Sequence, residues 1–262
     1  MAACDLPADV FESLRHAMTA ERSSLGRSIL SDCLENAGLA HRTRLPLCQD
    51  TGSAVVFADL GEECRVEGGL ESAIQAGIAE GYTRHHLRAS IVRDPLFARV
   101  STGNNTPAVI HVRLVPGKTL RLTLAPKGGG SENMTNLAML VPSAGRQGVL
   151  SAVVNAVKTA GGNPCPPVIV GVGVGGTAEQ AIIAGKRALL RPIGEQHANV
   201  QWAELERDIL TAVNVLGIGP QGLGGTCTAL AVHIAELPCH IASLPVATII
   251  GCHCLRHASV EL

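Results

Sequence analysis

The scarcity of aromatic side chains limits how this chain can fold more than any other feature of its sequence. Only 2% of its 262 residues are aromatic, although 46% are hydrophobic and 29 are glycine. A core without large rings must be built from Val, Ile, Leu and Ala, and the many glycines indicate tight turns and close backbone contacts. This composition predicts an α/β fold with buried strands, and it argues against a β-sandwich or a base-stacking module.

The charge pattern indicates which partners to expect. Charged residues make up 16% of the chain, the formal net charge is −1, and no basic or acidic block occurs. Such a chain has no electrostatic footprint for nucleic acid or an anionic membrane. No stretch approaches the roughly 20 apolar residues that span a bilayer, and residues 1–12 lack the basic start of a secretory signal. We therefore expect a cytoplasmic protein with no nucleic-acid and no membrane partner.

Hydrophobic periodicity predicts a single mixed α/β domain over residues 1–262. Helices are predicted at 8–40, 68–86, 147–160, 178–190 and 204–216, and strands at 53–60, 168–174, 229–234 and 245–250. Residues 104–126 are predicted to form a hairpin, with strands 108–115 and 119–125 joined by a Pro-Gly turn. The expected architecture is α/β, with mixed, mostly parallel sheets flanked by helices and with loops gathered at the strand ends.

Three of the nine cysteines, Cys48, Cys165 and Cys252, occupy turns beside predicted strands. Rigid loops at strand ends are common places for metal ligands, and a reducing compartment disfavours disulfides. The three positions are 117 and 87 residues apart, which matches no CxxC zinc signature. Three thiolates on a [4Fe–4S] cluster would leave one iron open to act as a Lewis acid on a substrate hydroxyl. Simple core packing of these cysteines remains the alternative.

Glycine-rich loops could supply an anion site. Consecutive backbone N–H groups in Gly128–Gly130 and in Gly222–Gly225 can form concave nests that bind carboxylate or phosphate. Gly171–Gly176 has the spacing G-x-G-x-G-G, which does not match a dinucleotide fingerprint. We interpret these last glycines as positions where two backbone segments approach closely.

Three polar side chains are further candidates, each with a structural alternative. Arg88 could clamp a carboxylate in a bidentate pair, or it could be a solvated arginine at a helix end. Asp50 could bond a substrate hydroxyl or a water, or it could cap the next element. His240 could hydrogen-bond substrate or a cluster sulfur, or it could have a purely structural role.

Six motifs occur in order from about residue 10 to the end of the chain. They are LCQDTG at 47–52, LRASIVRDPL at 87–96, NNTPAVIH at 104–111, PKGGGSENM at 126–134, CPPVIVGVG at 165–173 and GIGPQGLGG at 217–225. Together they resemble the alpha subunit, or N-terminal domain, of class I fumarases and of the related L-tartrate dehydratases. Because six motifs match in register, the resemblance is specific.

The resemblance implies a [4Fe–4S] cluster held by Cys48, Cys165 and Cys252, with one iron not ligated by cysteine. It implies reversible hydration of the dicarboxylate fumarate to L-malate, with a catalytic base supplied by a separate beta subunit. Asp50 and His240 are the implied catalytic residues. The implied substrate contacts are Gln49, Asp50, Arg88, Gly129, Gly130 and His240.

Other functions stay open at this point. The loops at 103–111 and 126–134 resemble the fumarase version, which favours fumarate over the alternative, dehydration of L-tartrate to oxaloacetate. Cys254, two residues beyond Cys252, could compete with it as a ligand. As a fourth thiolate, Cys254 would instead complete the cluster of an electron-transfer protein. A plain anion-binding or structural domain, with all its cysteines packed in the core, is the third class.

Overall fold

The computed structural model describes residues 2–262, which form helices packed on two mixed sheets. The helices are α1 Ala8–Ala20, α2 Ser24–Thr43, α3 Leu70–Arg84, α4 Gly129–Glu132, α5 Gly145–Ala160, α6 Ala178–Ala188 and α7 Val200–Val215. The strands are β1 Ser53–Gly61, β2 Val109–Val115, β3 Leu120–Lys127, β4 Asn136–Leu140, β5 Val168–Gly175, β6 Ala229–Leu237, β7 Leu244–Gly251 and β8 Ala258–Glu261.

The chain divides into two compact units. Unit 1 consists of residues 2–6, Leu39–Gly129 and Arg256–Leu262, and unit 2 consists of Pro7–Gly38 and Gly130–Leu255. The sheet of unit 1 has the strand order β2-β1-β3-β8, and the sheet of unit 2 has the order β4-β7-β5-β6. A single domain over residues 1–262 stays a prediction.

In unit 1, β1 is an inner strand. It runs parallel to β2 and antiparallel to β3, and β8 pairs with the far side of β3. One face of this sheet packs on α3, where Ile74, Ile78 and Tyr82 join Ala54 and Val56 of β1 in a hydrophobic cluster. Burial of these apolar side chains from two elements is the main source of stability for this layer.

The predicted hairpin at 104–126 is wrong, although both of its strands form. β1 lies between β2 and β3, so these two strands do not pair with each other. Residues 54–58 of β1 are all buried, and a strand buried on both faces belongs inside a sheet. The Pro-Gly signal between β2 and β3 is local, whereas the insertion of β1 depends on contacts with a distant segment.

In unit 2, β5 is buried along its whole length and lies between β6 and β7. Its even-numbered valines, from Val168 to Val174, pack in one cluster with side chains of α5 and α7. The opposite face of β5 presents glycines to α6. A Cβ built on Gly173 would overlap the Ala181 carbonyl oxygen, and one on Gly171 would overlap the Gly185 carbonyl oxygen. The close-approach interpretation of these glycines is therefore confirmed.

Most predicted helices and strands form in the structure, and the differences concern element bounds, missed short elements and strand pairing. The helix predicted at 8–40 breaks at residues 21–23 into α1 and α2, and the sequence patterns missed β4 and β8. Mixed sheets flanked by helices are confirmed. Parallel pairing does not predominate, because among the strand pairs within residues 2–262 only β1–β2 and β5–β6 are parallel. In these two pairs the strands are consecutive along the chain and are joined through α3 or through α6 and α7, as parallel neighbours require.

None of the helices within residues 2–262 has both the length and the apolar character needed to cross a lipid bilayer.

Replacing Gly173 with alanine tests the contact between β5 and α6. Gly173→Ala should lower the free energy of unfolding by at least about 2 kcal/mol, because the new methyl group meets backbone that cannot move aside. Urea denaturation measures the effect. Gly77→Ala is the matched control, since a Cβ at this α3 position has no neighbour within 4 Å. The control should be neutral or stabilising by up to about 1 kcal/mol, and equal midpoints for both variants would contradict the close contact.

Candidate functional site

The pre-β1 loop, residues 47–52, is held by buried polar side chains of unit 1. The Tyr82 hydroxyl donates to the Gly52 carbonyl at 2.9 Å. The buried guanidinium of Arg256 donates to the Asp50 carbonyl at 2.9 Å. Burial raises the pKa of Tyr82 to about 12, so its hydroxyl keeps the proton that this bond needs. Neither Tyr82 nor Arg256 stands out in the sequence as a site residue.

Asn105 ties the pre-β1 loop to the segment after Arg88. Its side chain is completely buried, and its backbone has a left-handed φ of 60°. Nδ2 donates to the Gly52 carbonyl at 2.9 Å, and Oδ1 accepts the N–H groups of Ser90 and Ile91 at 2.7 and 3.2 Å. One buried amide therefore fixes two loops. The motif at 104–111 was the only sequence signal for it.

The Asp50 carboxylate is held by backbone and side-chain donors. Oδ1 accepts the Gly52 N–H at 3.0 Å and lies 3.5 Å from the Ser90 hydroxyl. Oδ2 accepts the Gly129 N–H at 2.8 Å. The glycine amide predicted to bind a substrate carboxylate is therefore engaged by a carboxylate of the protein itself. Each carboxylate oxygen has two lone pairs, so Asp50 keeps capacity to accept a further bond.

Other predicted residues of unit 1 lie around the same loop. The Arg88 side chain is exposed, and its carbonyl accepts the Thr51 hydroxyl at 3.1 Å. Gln49 is exposed, and the half-buried Cys48 thiol lies 3.6 Å from its Oε1. Unit 1 thus brings together five of the predicted site residues, namely Cys48, Gln49, Asp50, Arg88 and Gly129.

In unit 2, Cys165 and Cys252 lie at the same edge of the sheet. Cys165 precedes β5 and Cys252 follows β7, and these antiparallel strands place Ile169 opposite Gly251. The backbone N–H of His253 lies 3.4 Å from the Cys165 carbonyl oxygen, and its Nδ1 lies 3.0 Å from the same oxygen. The two cysteine loops are therefore hydrogen-bonded neighbours.

The glycine cluster at 217–225 packs against the Cys165 loop and donates hydrogen bonds to it. The backbone N–H and the Nε2 of Gln221 donate to the Pro166 carbonyl at 2.8 and 3.1 Å. Gly222 has a left-handed φ of 77°, and a Cβ there would lie 2.6 Å from the Gly162 Cα. A side chain at Gly222 would therefore push the Cys165 loop away. Gln221 is a further residue that sequence reasoning missed.

Two cysteine thiols at one sheet edge fit part of the donor set of an iron–sulfur cluster. Cys165 is exposed and Cys252 is half-buried, so both can be reached by a ligand. Cys48, also half-buried, belongs to unit 1. Within the described residues, no group of three or more His, Cys, Asp or Glu side chains is placed to hold a metal ion. The ligand set of three cysteines stays a prediction.

The remaining candidates for a thiolate ligand are less suitable. Cys254 is buried, in contrast to Cys252. Burial, with the nearby charge of Glu21, raises the pKa of Cys227 to about 12. A thiol with so high a pKa stays protonated at neutral pH and is a poor metal ligand.

The predicted anion site at Gly222–Gly225 lies next to backbone donors that bind a carboxylate of the protein. Glu21 accepts the N–H groups of Thr226 and Cys227, at 2.9 and 2.8 Å, and the Thr226 hydroxyl at 3.1 Å. Burial alone would raise the pKa of Glu21, but these bonds and one from the Ser23 N–H lower it to about 2. The N–H groups that bind this carboxylate belong to Thr226 and Cys227, directly after the predicted nest. Those of Gly222 and Gly224 donate to the Gly219 and Ile218 carbonyls at 3.0 and 2.8 Å, so these two glycine amides are already engaged and do not form the expected anion nest.

His240 lies at the other end of β7 from Cys252. The strand Leu244–Gly251 separates them, and its eight residues span roughly 25 Å at the usual rise of a strand. His240 is exposed and lines a groove of about 740 Å³ beside Trp202. The structure does not bring His240 together with Cys165 and Cys252, because an extended strand fills the interval between them in the sequence.

Replacing Asn105 tests how the two loops of unit 1 are held. Asn105→Ala should lower the free energy of unfolding by about 3 kcal/mol or more, because it leaves buried backbone groups unpaired at a strained φ. Urea denaturation and amide hydrogen exchange at Ser90 and Ile91 measure the effect. Asn104→Ala is the control, since its Oδ1 only accepts local bonds from Thr106 at 3.2 and 2.8 Å. Equal losses in the free energy of unfolding of the two variants would contradict the role assigned to Asn105.

The Glu21 contact predicts a specific pH dependence. The folded pKa of about 2 lies below the ordinary value of 4.5, so the stabilisation is complete above pH 4.5 and is lost as pH falls towards 2. Glu21→Gln should therefore cost up to about 3 kcal/mol at pH 7 and progressively less in acid. Urea midpoints at pH 7, 4 and 3 measure the difference. The exposed Glu35→Gln should match the wild type throughout, and a pH-independent effect of Glu21→Gln would contradict the prediction.

Comparison with known proteins identifies the family. The family model described as fumarate hydratase (Fumerase) matches residues 1–261. The chain is 40% identical over 263 residues to the putative L(+)-tartrate dehydratase subunit alpha of Methanocaldococcus jannaschii, covering 98% of this chain and 92% of that one. It is 34% identical over 259 residues to the L(+)-tartrate dehydratase subunit alpha of Escherichia coli K12, covering 97% and 85%. Fumarate hydratases and tartrate dehydratases both add or remove water, and the chain belongs to this fumarate hydratase (Fumerase) family of hydro-lyases.

Proposed function

We propose that this chain is the alpha subunit of an iron–sulfur hydro-lyase that dehydrates L-tartrate to oxaloacetate together with a separate beta subunit. The observation that carries the proposal is the similarity, over 97% or more of the chain, to proteins named alpha subunits of L(+)-tartrate dehydratase. This choice of substrate reverses the preference for fumarate that the loop sequences suggest.

Hydration of fumarate to L-malate is the second candidate. The matching family model carries the fumarate hydratase name. The loops at 103–111 and 126–134 also resemble the fumarase version. Both substrates are four-carbon dicarboxylates, so the same carboxylate-binding residues would serve either reaction.

Cys48, Cys165 and Cys252 are the proposed ligands of a [4Fe–4S] cluster. When bound, the cluster would supply a Lewis-acidic iron without a cysteine ligand. The contrast between the half-buried Cys252 and the buried Cys254 supports Cys252 as the third ligand. The same contrast disfavours the electron-transfer alternative, which requires Cys254 as a fourth thiolate.

The chain's own residues have complementary tasks in this proposal. Arg88 is exposed and would pair with a substrate carboxylate through two parallel hydrogen bonds. Asp50 is oriented by the Gly129 N–H and would accept a hydrogen bond from a substrate hydroxyl or from water. Gln49, which precedes Asp50 in the chain, presents an exposed amide. Because the Asp50 carboxylate is held before substrate arrives, it needs no reorganisation in order to act in the transition state.

Anaerobic reconstitution with iron and sulfide tests the cluster. Cys48→Ser, Cys165→Ser and Cys252→Ser should each lower the bound iron and sulfide per chain at least several-fold, because each variant removes one thiolate. Cys33→Ser, on α2, is the matched control and should retain the full content. If the wild-type protein stays colourless after reconstitution, it binds no cluster, and the three cysteines would then serve only in packing.

Electron paramagnetic resonance and steady-state kinetics then test the substrate. Addition of L-tartrate should shift the cluster signal, and the complex with the beta subunit should have a higher kcat/KM for L-tartrate dehydration than for fumarate hydration. The reverse ratio would establish the second candidate. A cluster signal that does not change on addition of tartrate, fumarate or malate would contradict the proposed dehydratase function and favour electron transfer.

A further inference from the structure

The loop at residues 93–100 of unit 1 presents an apolar tip to solvent. Leu96 is 70% exposed and Phe97 is 85% exposed. The chain has only three phenylalanines, so one of its few large rings lies in water. Two adjacent apolar side chains that are this exposed on one loop are a candidate for a protein–protein contact.

The tip has a defined conformation. The Asp94 carboxylate accepts the N–H groups of Leu96, Phe97 and Ala98 at 2.9, 3.1 and 2.9 Å. These bonds, that from Ala98 foremost, lower the pKa of Asp94, which therefore stays ionised at neutral pH. Phe97 is thus presented on a capped turn. A preorganised anchor loses little conformational entropy when a partner binds it.

The base of the loop is anchored at the candidate site. The Arg93 N–H donates to the Val100 carbonyl at 2.9 Å, and the Thr102 N–H donates to the Ile91 carbonyl at 2.9 Å. Asn105, which binds the Ile91 N–H, also holds the pre-β1 loop. A partner docked on the tip is therefore fixed relative to the predicted substrate residues of unit 1.

The charge of the segment indicates the chemistry of the partner. Residues 88–105 contain three arginines against one aspartate, whose carboxylate is bound to backbone N–H groups. Arg93 and Arg99 flank the apolar tip and are exposed. Such a surface fits an apolar pocket with an acidic rim. Two copies of this chain meeting tip to tip would bring like charges together, which disfavours a second copy as the occupant.

We propose that residues 93–100 are a docking element for the beta subunit, with Phe97 seated in an apolar pocket rimmed by Asp or Glu. This inference rests on the two-subunit function proposed above. It explains why an aromatic side chain is held in solvent on a preorganised turn. It also gives the beta subunit a direct mechanical link to Asn105 and the pre-β1 loop.

Binding of the separately purified beta subunit of the same organism tests the proposal. Phe97→Ser should weaken the Kd at least about tenfold, because buried aromatic anchors dominate interface energies. Arg93→Glu should slow association, most strongly at low salt. Val215→Ser removes a side chain that is 81% exposed at the end of α7, and Arg65→Glu reverses an exposed charge elsewhere. Both controls should bind like the wild type.

Each other outcome has a distinct meaning. Wild-type affinity in Phe97→Ser, with unchanged melting temperature and iron content, would overturn the docking proposal and leave the proposed function intact. A change in the self-association of the chain alone would assign the tip to a second copy instead. Failure of the wild-type chain to bind the beta subunit would overturn the two-subunit function itself.

Discussion

The contact between β5 and α6 is the constraint on which the organisation of unit 2 depends. Gly171 and Gly173 have no side chains, so the helix lies against the backbone of the strand. The other face of β5 is free to bury its valines against α5 and α7. With β5 fixed at the centre of the sheet, its start presents Cys165, and its antiparallel neighbour β7 delivers Cys252 to the same edge. Packing with no room for a methyl group therefore helps to place the two cysteine loops side by side.

Both glycine-rich regions that look like anion sites in the sequence contact carboxylates that the protein itself provides. Gly129 donates to Asp50, and the N–H groups just after Gly225 bind Glu21. In the first region the sequence correctly indicates a glycine N–H that donates to a carboxylate, whereas in the second the donors are Thr226 and Cys227, beyond the glycines. The sequence does not indicate which carboxylate accepts these N–H groups, because Asp50 and Glu21 are distant from the two loops along the chain. The contact orients the Asp50 carboxylate in the pre-β1 loop, and the bonds to Glu21 stabilise the fold of unit 2.

The elements of the fold were largely predictable, and their pairing was not. Alternation and helical periodicity depend on neighbouring residues, so β1, β5 and most helices follow from the sequence. The arrangement of β2 on the far side of β1 depends on burial of β1 on both faces. The separation of His240 from Cys252 was also not predictable from local pattern. It follows from the extended path of β7, which places the two residues at opposite ends of the strand.

The sequence by itself determined the α/β class, most elements, the family, and the candidate residues Cys48, Asp50 and Arg88. These depend on composition, local period and motif, which are all written along the chain. Only the tertiary structure decided that buried Asn105 and Arg256 hold the pre-β1 loop, and that the capped turn at 93–100 leaves Phe97 in solvent. The physical reason is that burial and hydrogen-bond partnership join residues far apart in sequence, and no local pattern records which distant group will fill a given space.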